Sequence, residues 1–178
     1  MYPIIRIGMN LWRHRNDPPL GFGDTHVTHL VCRLSDIDVF REMNNGRTLT
    51  LYDIGRFGLF KRLGVSAVMA RNNWAGTVAG TSVRYRHRVR WRDRIEMRSR
   101  IAGWDDKFVY IDQSMWVGDR ATSQQLIRTA VTDKNGLVRP AKLAETFGVE
   151  AKGPKMPDWI TAWIAAEAKR PWPPERGH

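Results

Sequence analysis

Apolar and polar positions change their period along this chain, and the changes outline its elements. Between Thr25 and Leu34, the residues Val27, Thr28, Val31 and Cys32 predict a first strand. From about Asn45 the spacing turns helical and stays so to Leu63, where Gly64 ends it. Such a helix is about 28 Å long. Leu49, Tyr52, Leu59, Phe60 and Leu63 are spaced for burial, while Leu51, Ile54 and Phe57 widen the apolar surface around it. A helix apolar on most sides has to be enclosed by other structure. Gly55 and Gly58 cost it intrinsic stability, which close packing against a sheet explains. Beyond it the pattern predicts strands over 76–86, 94–104, 107–117 and 121–132. Their turn candidates are Trp91-Arg92-Asp93, Asp105-Asp106 and Gly118-Asp119, with Lys134-Asn135-Gly136 closing the series. This tight spacing predicts an antiparallel meander.

The flanks are weaker in pattern. Residues 1–24 read as a lead-in punctuated by Pro18-Pro19 and Gly21-Phe22-Gly23, and 140–148 as a short helical or loop exit. Residues 158–169 predict a small helix capped by Asp158, with Trp159, Ile160, Trp163 and Ile164 on one face. The expected architecture is α+β. A five-stranded antiparallel sheet curls around one long helix over 25–148, between the lead-in 1–24 and a C-terminal extension 149–178.

The chemistry concentrates just before the long helix, in Asp36-Ile37-Asp38-Val39-Phe40-Arg41-Glu42-Met43-Asn44-Asn45. A helix start offers unpaired N–H groups and partial positive charge, which suit a developing oxyanion. A carboxylate one loop away can attack a carbonyl carbon held there, or activate water against it. This is material for acyl transfer without serine, thiol or metal. His26 and His29 face opposite sides of a strand, with no acidic or cysteine partner at ligand spacing, so no metal site is expected.

Charge narrows the partners. Lys and Arg total 29 against 18 Asp and Glu, a formal +11, and most of the cations are arginines. Arginine grips phosphate in a forked geometry, so the surface suits nucleic acid, an anionic membrane, a small polyanion such as coenzyme A, or solvent alone. Arg84, Arg86, Arg88 and Arg90 alternate with Tyr85, His87 and Val89, then meet the turn at 91–93, which predicts a basic hairpin. Cys32 is the single cysteine, so no intrachain disulfide forms. With no secretory pattern and no transmembrane stretch, a cytoplasmic protein is expected.

The acidic loop and the elements around it resemble the hotdog-fold acyl-CoA thioesterases, in the 4-hydroxybenzoyl-CoA thioesterase-like branch and its thioesterase-superfamily-member subgroup. The family's loop reads Asp-x-Asp-x-x-Gly-His-Val-Asn-Asn-x-x-Tyr, followed on the helix by Glu-x-x-Arg. Asp36 and Asp38 match the acidic pair and Asn44-Asn45 the asparagines, with Asp53 at the glutamate and Arg56 at the arginine, all without a gap. Arg41, Glu42 and Thr48 depart from the usual glycine, histidine and tyrosine.

The resemblance implies a hotdog fold, an acyl-CoA substrate, no cofactor, and a homodimer or tetramer. It implies Asp38 as nucleophile or general base and the Asn45 N–H as the group polarising the thioester carbonyl. Glu42 raises the Asp38 pKa if the two carboxylates lie close, serves as the base itself, or is an exposed loop residue. Asn44, Asp53 and Arg56 belong to the substrate region, although Asp53 and Arg56 also suit a plain intrahelical pair. Arg84, Arg86, Arg88 and Arg90 are placed near the coenzyme A phosphates. A non-catalytic acyl-CoA or acyl-carrier binder is the alternative, and a nucleic-acid-binding module the third reading. Acyl chain length, carrier against coenzyme A, and oligomer size stay open.

Overall fold

The computed structural model describes residues 2–177. In chain order they form α1 (Ile4–Arg13), β1 (His26–Val31), α2 (Asn45–Arg62), α3 (Val65–Asn72), β2 (Ala75–Tyr85), β3 (Arg94–Trp104), β4 (Val109–Val117), β5 (Arg120–Asp133), β6 (Gly136–Val138), α4 (Pro140–Thr146) and α5 (Asp158–Ala168). The long strands run β1-β3-β4-β5-β2, every neighbouring pair antiparallel, and the short β6 pairs with the end of β5. The sheet curls around α2. This is the expected hotdog arrangement, with β6 as a sixth, three-residue strand.

Alternation explains how the sheet seats the helix. Along β3, Ile95, Met97, Ser99 and Ile101 are buried while Arg94, Arg98 and Arg100 are exposed. Ile95 and Met97, with Met115 of β4, meet Leu51, Tyr52 and Ile54 of α2. Further along, Leu59 and Leu63 meet Ile101, Val109, Ile111, Ile127 and Val131. The glycines lie where the backbones come closest. A methyl on Gly55 would stand 2.5 Å from Met97 Sδ, and one on Gly58 would stand 2.3 Å from His26 Nε2. The sheet's other face carries α5, whose Ile160 packs on Tyr110 and Leu126. Residues 109–113 of β4 are therefore buried on both sides.

Several sequence expectations are corrected. β2 does not pair with β3. It pairs with β5 at the far edge, so there is no basic hairpin, and residues 86–93 cross from the edge strand β2 past β5 and β4 to β3. The turn itself is real: Asp93 N–H donates to Arg90 O at 3.1 Å and Arg92 has φ 70. It simply does not join paired strands. The lead-in contains α1, and α3 follows α2 after Gly64. Pro157, with no side-chain cap, occupies the N-cap of α5, and Asp158 is the first helical residue.

Candidate active site

Asp36 organises the loop that enters α2. It is fully buried, which is tolerable only because its oxygens are fully bonded. Arg33 N–H donates to Oδ2 at 3.0 Å, Arg6 Nη1 to Oδ2 at 2.8 Å, and Arg47 Nη2 and Nε to Oδ1 at 2.8 and 3.1 Å. Burial alone would raise its pKa, but these donors outweigh it and hold the carboxyl below its usual range. Its own carbonyl accepts from Asn44 N–H at 2.9 Å, closing the loop base. Asp36 therefore shapes the turn, as expected from its position.

The loop tip is a tight reversal. Asp38 N–H donates to Glu42 O at 2.9 Å, Arg41 N–H to Asp38 O at 3.1 Å, and Phe40 N–H to Asp38 Oδ1 at 2.8 Å. Arg41, at the position the family motif gives to glycine, has φ 61. The left-handed backbone that favours glycine is thus kept despite the arginine.

Asn44 caps α2, its Oδ1 accepting from Gly46 N–H at 2.9 Å and Arg47 N–H at 3.2 Å. The Asn45 N–H donates to no acceptor among the described residues. It remains available at the positive end of an 18-residue helix.

The crossover at 86–93 lies against this helix start. Met43 N–H donates to Val89 O at 2.8 Å and Tyr85 Oη to Asn45 O at 3.2 Å. Arg88 Nε stands 2.8 Å from Glu42 Oε2, an ion contact without hydrogen-bond alignment. Between them opens a cleft of about 190 Å³ lined by Glu42, Asn45, Thr48, Tyr85, Arg86, Arg88 and Ser123, among others. Beside it, Arg86, Arg88, Arg90 and Arg120 surround an open groove of about 450 Å³ together with His87 and Asp93. Asp93 is the acidic residue of that lining, its Oδ2 already accepting from Arg90 N–H at 2.7 Å, and Glu42 meets Arg88 from the adjoining cleft.

About 16 Å further along the helix, a second, largely apolar cavity of about 360 Å³ lies between α2, α3 and the sheet. Phe22, Phe57, Phe60, Met69, Trp104 and Val131 line it, with Asp53 and Arg56 on one wall. Asp53 pairs with Arg56 and accepts from Tyr2 Oη at 2.8 Å. Arg56 Nη1 reaches Gln113 Oε1 at 3.1 Å, whose Nε2 donates to Tyr52 O at 2.9 Å and Ser99 Oγ at 2.8 Å. Burial lowers the Arg56 pKa, and burial followed by the Asp53 carboxylate raises the Tyr2 phenol to about 12.

Of the residues singled out in the sequence, Glu42, Asn45, Arg86 and Arg88 share the cleft. Asp38 lies in the adjoining turn, half-buried, and Arg90 in the basic groove. Asp53 and Arg56 line the apolar cavity, and Arg84 is exposed on β2. Tyr2, Tyr85, Arg120 and Ser123 were missed. Only the pairing of β2 with β5 brings the last of these to the helix start. His26 is buried and His29 exposed, and among the described residues no group of three or more His, Cys, Asp or Glu is placed to hold a metal.

Comparison with known proteins agrees with this fold. The chain is 27% identical over 147 residues to the Protein THEM6 of Drosophila melanogaster, covering 80% of this chain and 74% of that protein. In fold it is similar to the probable thioesterase YbaW of Escherichia coli, with a TM-score of 0.64 at 20% identity over 67% of this chain and 94% of that one. It is also similar to the DHNA-CoA thioesterase of Staphylococcus aureus, with a TM-score of 0.61 at 14% identity over 81% and 91%. The thioesterase-like superfamily profile matches residues 32–164, three quarters of the sequence, and the chain belongs to that superfamily.

Proposed function

We propose that this chain is an acyl-CoA thioesterase. The observation that carries the reading is the unpaired Asn45 N–H at the start of α2, opening on a cleft continuous with arginines. A thioester carbonyl oxygen at Asn45 gains negative charge as the tetrahedral intermediate forms, and the helix start stabilises it there. Asp38 attacks the carbonyl carbon, forming a mixed anhydride that water cleaves after the thiolate has left, or it takes a proton from the water that attacks directly and passes it to the leaving thiolate. The C–S bond then breaks, and the thiol leaves as free coenzyme A. The diphosphate and nucleotide lie along Arg86, Arg88, Arg90 and Arg120. The acyl group runs along α2 toward the apolar cavity, where the Asp53–Arg56 pair positions it.

The long edge strand β2 leaves its outer backbone groups unpaired and shows Val78 and Tyr85 to solvent. Pairing with a second copy across that edge gives a dimer and removes the liability of an open strand.

A second reading, a binder of acyl-CoA without turnover, is favoured by one observation. Asp38 Oδ1 is already engaged by Phe40 N–H, and the carboxylate lines neither cavity. A panel of short, long and aromatic acyl-CoAs, followed by thiol release, decides between the two. Release from any member supports hydrolysis. Saturable binding with no release across the panel establishes the second reading.

A further inference from the structure

Helix α1 is turned inside out relative to an ordinary surface helix. Its polar side chains face the domain: Arg6 and Asn10 are buried, Arg6 on Asp36 and on Val31 O at 3.0 Å, Asn10 on Thr28. One turn later His14 joins them, with Nε2 3.1 Å from Thr28 Oγ1. Four of its six apolar side chains face out, while Ile7 packs on the core beneath and Leu11 is half-buried. Ile4, Ile5, Met9 and Trp12 are 71%, 78%, 54% and 66% exposed. With Gly8 they fall within about 140° of one another on a helix of 3.6 residues per turn. The buried bonds of Arg6 and Asn10 fix this orientation, because rotating the apolar stripe inward would strip Asp36 of a cation in the interior.

The patch extends beyond the helix. Met9 and Arg13 face Val31 and Arg33 across a shallow groove, and Val31 and Leu34 are themselves 49% and 69% exposed. Its rim is cationic: Arg13, Arg15 and Arg33 are exposed, Arg15 stands 4.3 Å from the centroid of the Trp12 ring, and α1 contains no acidic residue. An apolar helical face with tryptophan at its edge and arginine around it matches the headgroup region of a bilayer. Those same arginines, in a chain of net charge +11, oppose the approach of a second copy and attract anionic lipid. No helix among the described residues is long and apolar enough to cross a membrane.

We propose that α1 is an interfacial helix that seats this protein on an anionic phospholipid surface. Ile4, Ile5, Met9 and Trp12 enter the headgroup boundary, and Arg13, Arg15 and Arg33 pair with lipid phosphates. Tyr2, two residues before the helix, lines the apolar cavity and bonds Asp53. A seated α1 therefore ties that cavity to the surface where acyl chains partition. This consequence rests on the thioester reading; the lipid binding does not.

Co-sedimentation of the full chain with vesicles tests the proposal, using phosphatidylcholine alone and phosphatidylcholine mixed with phosphatidylglycerol. The wild type pellets with the mixed vesicles, far less with phosphatidylcholine alone, and less again as salt screens the arginines over ~8 Å. The double variant Ile5→Asp with Trp12→Asp lowers binding at least tenfold and keeps the wild-type unfolding midpoint, since both side chains are exposed. Arg13→Glu with Arg15→Glu, which spares the apolar face, weakens binding to mixed vesicles selectively. A wild type left in the supernatant, or an Ile5/Trp12 variant that pellets like wild type, overturns the proposal. So does an oligomer that this variant dissociates without any vesicle binding, because the face would then be a contact between copies. None of these outcomes depends on thioester turnover.

Discussion

His26 makes the domain sensitive to mild acid. Its ring is fully buried in β1 beneath Gly58 of α2, and Nε2 has no hydrogen-bond partner. The groups facing it are His14, with ring centroids 4.9 Å apart, Arg62 Nη1 at 3.3 Å from Nδ1, and Asp17 behind them. Burial first, then the His14 and Arg62 charges, lower its pKa from 6.5 to about 4, against a smaller opposing pull from Asp17. The unfolded chain therefore binds a proton between pH 6.5 and 4 that the folded chain refuses, so stability falls as pH drops through that window. At about 1.4 kcal/mol per pKa unit, the loss is about 2 kcal/mol by pH 5 and about 3 kcal/mol once pH passes the folded value.

Asp36, whose folded pKa is depressed, contributes stability of its own that is lost at lower pH, as its carboxyl protonates. The comparison is therefore made between wild type and His26→Leu by urea unfolding from pH 7 to pH 5. The wild type should lose about 2 kcal/mol more than the variant over this range. Parallel stability curves would refute the buried neutral histidine.

Gly58→Ala gains about 1 kcal/mol of helix propensity, but its methyl meets the confined His26 ring, an overlap costing about 1–3 kcal/mol or more. The melting temperature should fall, and an unchanged or higher one would mean that α2 is not seated on β1 as described. Arg88→Ala and Arg120→Ala should each raise KM for acyl-CoA with little change in kcat, and leave a truncated thioester lacking the nucleotide unaffected. Unchanged KM at low salt for both would remove the nucleotide end from this groove.

Long apolar periodicity was legible: α2 and strands β2 to β5 stand within one or two residues of the sequence reading, because burial against a sheet imposes the spacing, whereas β1 ends three residues early and the short β6 was read as a turn. α1 was not. It has Pro3 as an unbonded N-cap and Gly8 inside, and its apolar stripe faces away from the core that such stripes usually indicate. Turn residues mark where a chain reverses, not which strand it next meets, so β2 was placed beside β3 instead of β5. The same limit hid part of the site. Asp36 was recognisable as a turn residue, but Arg6, which neutralises it, lies 30 positions upstream. Arg120 joins the other arginines only because β5 begins beside the crossover.

The central claim is that Asp38 and the start of α2 hydrolyse a thioester, and thiol release by wild type, Asp38→Asn and Glu42→Gln tests it most directly. Asparagine keeps the shape that accepts the Phe40 N–H, so Asp38→Asn should fold with a wild-type melting curve while turnover falls about a hundredfold or more. Glu42→Gln should lose less. A folded Asp38→Asn protein that hydrolyses every acyl-CoA in the panel at the wild-type rate would contradict the account.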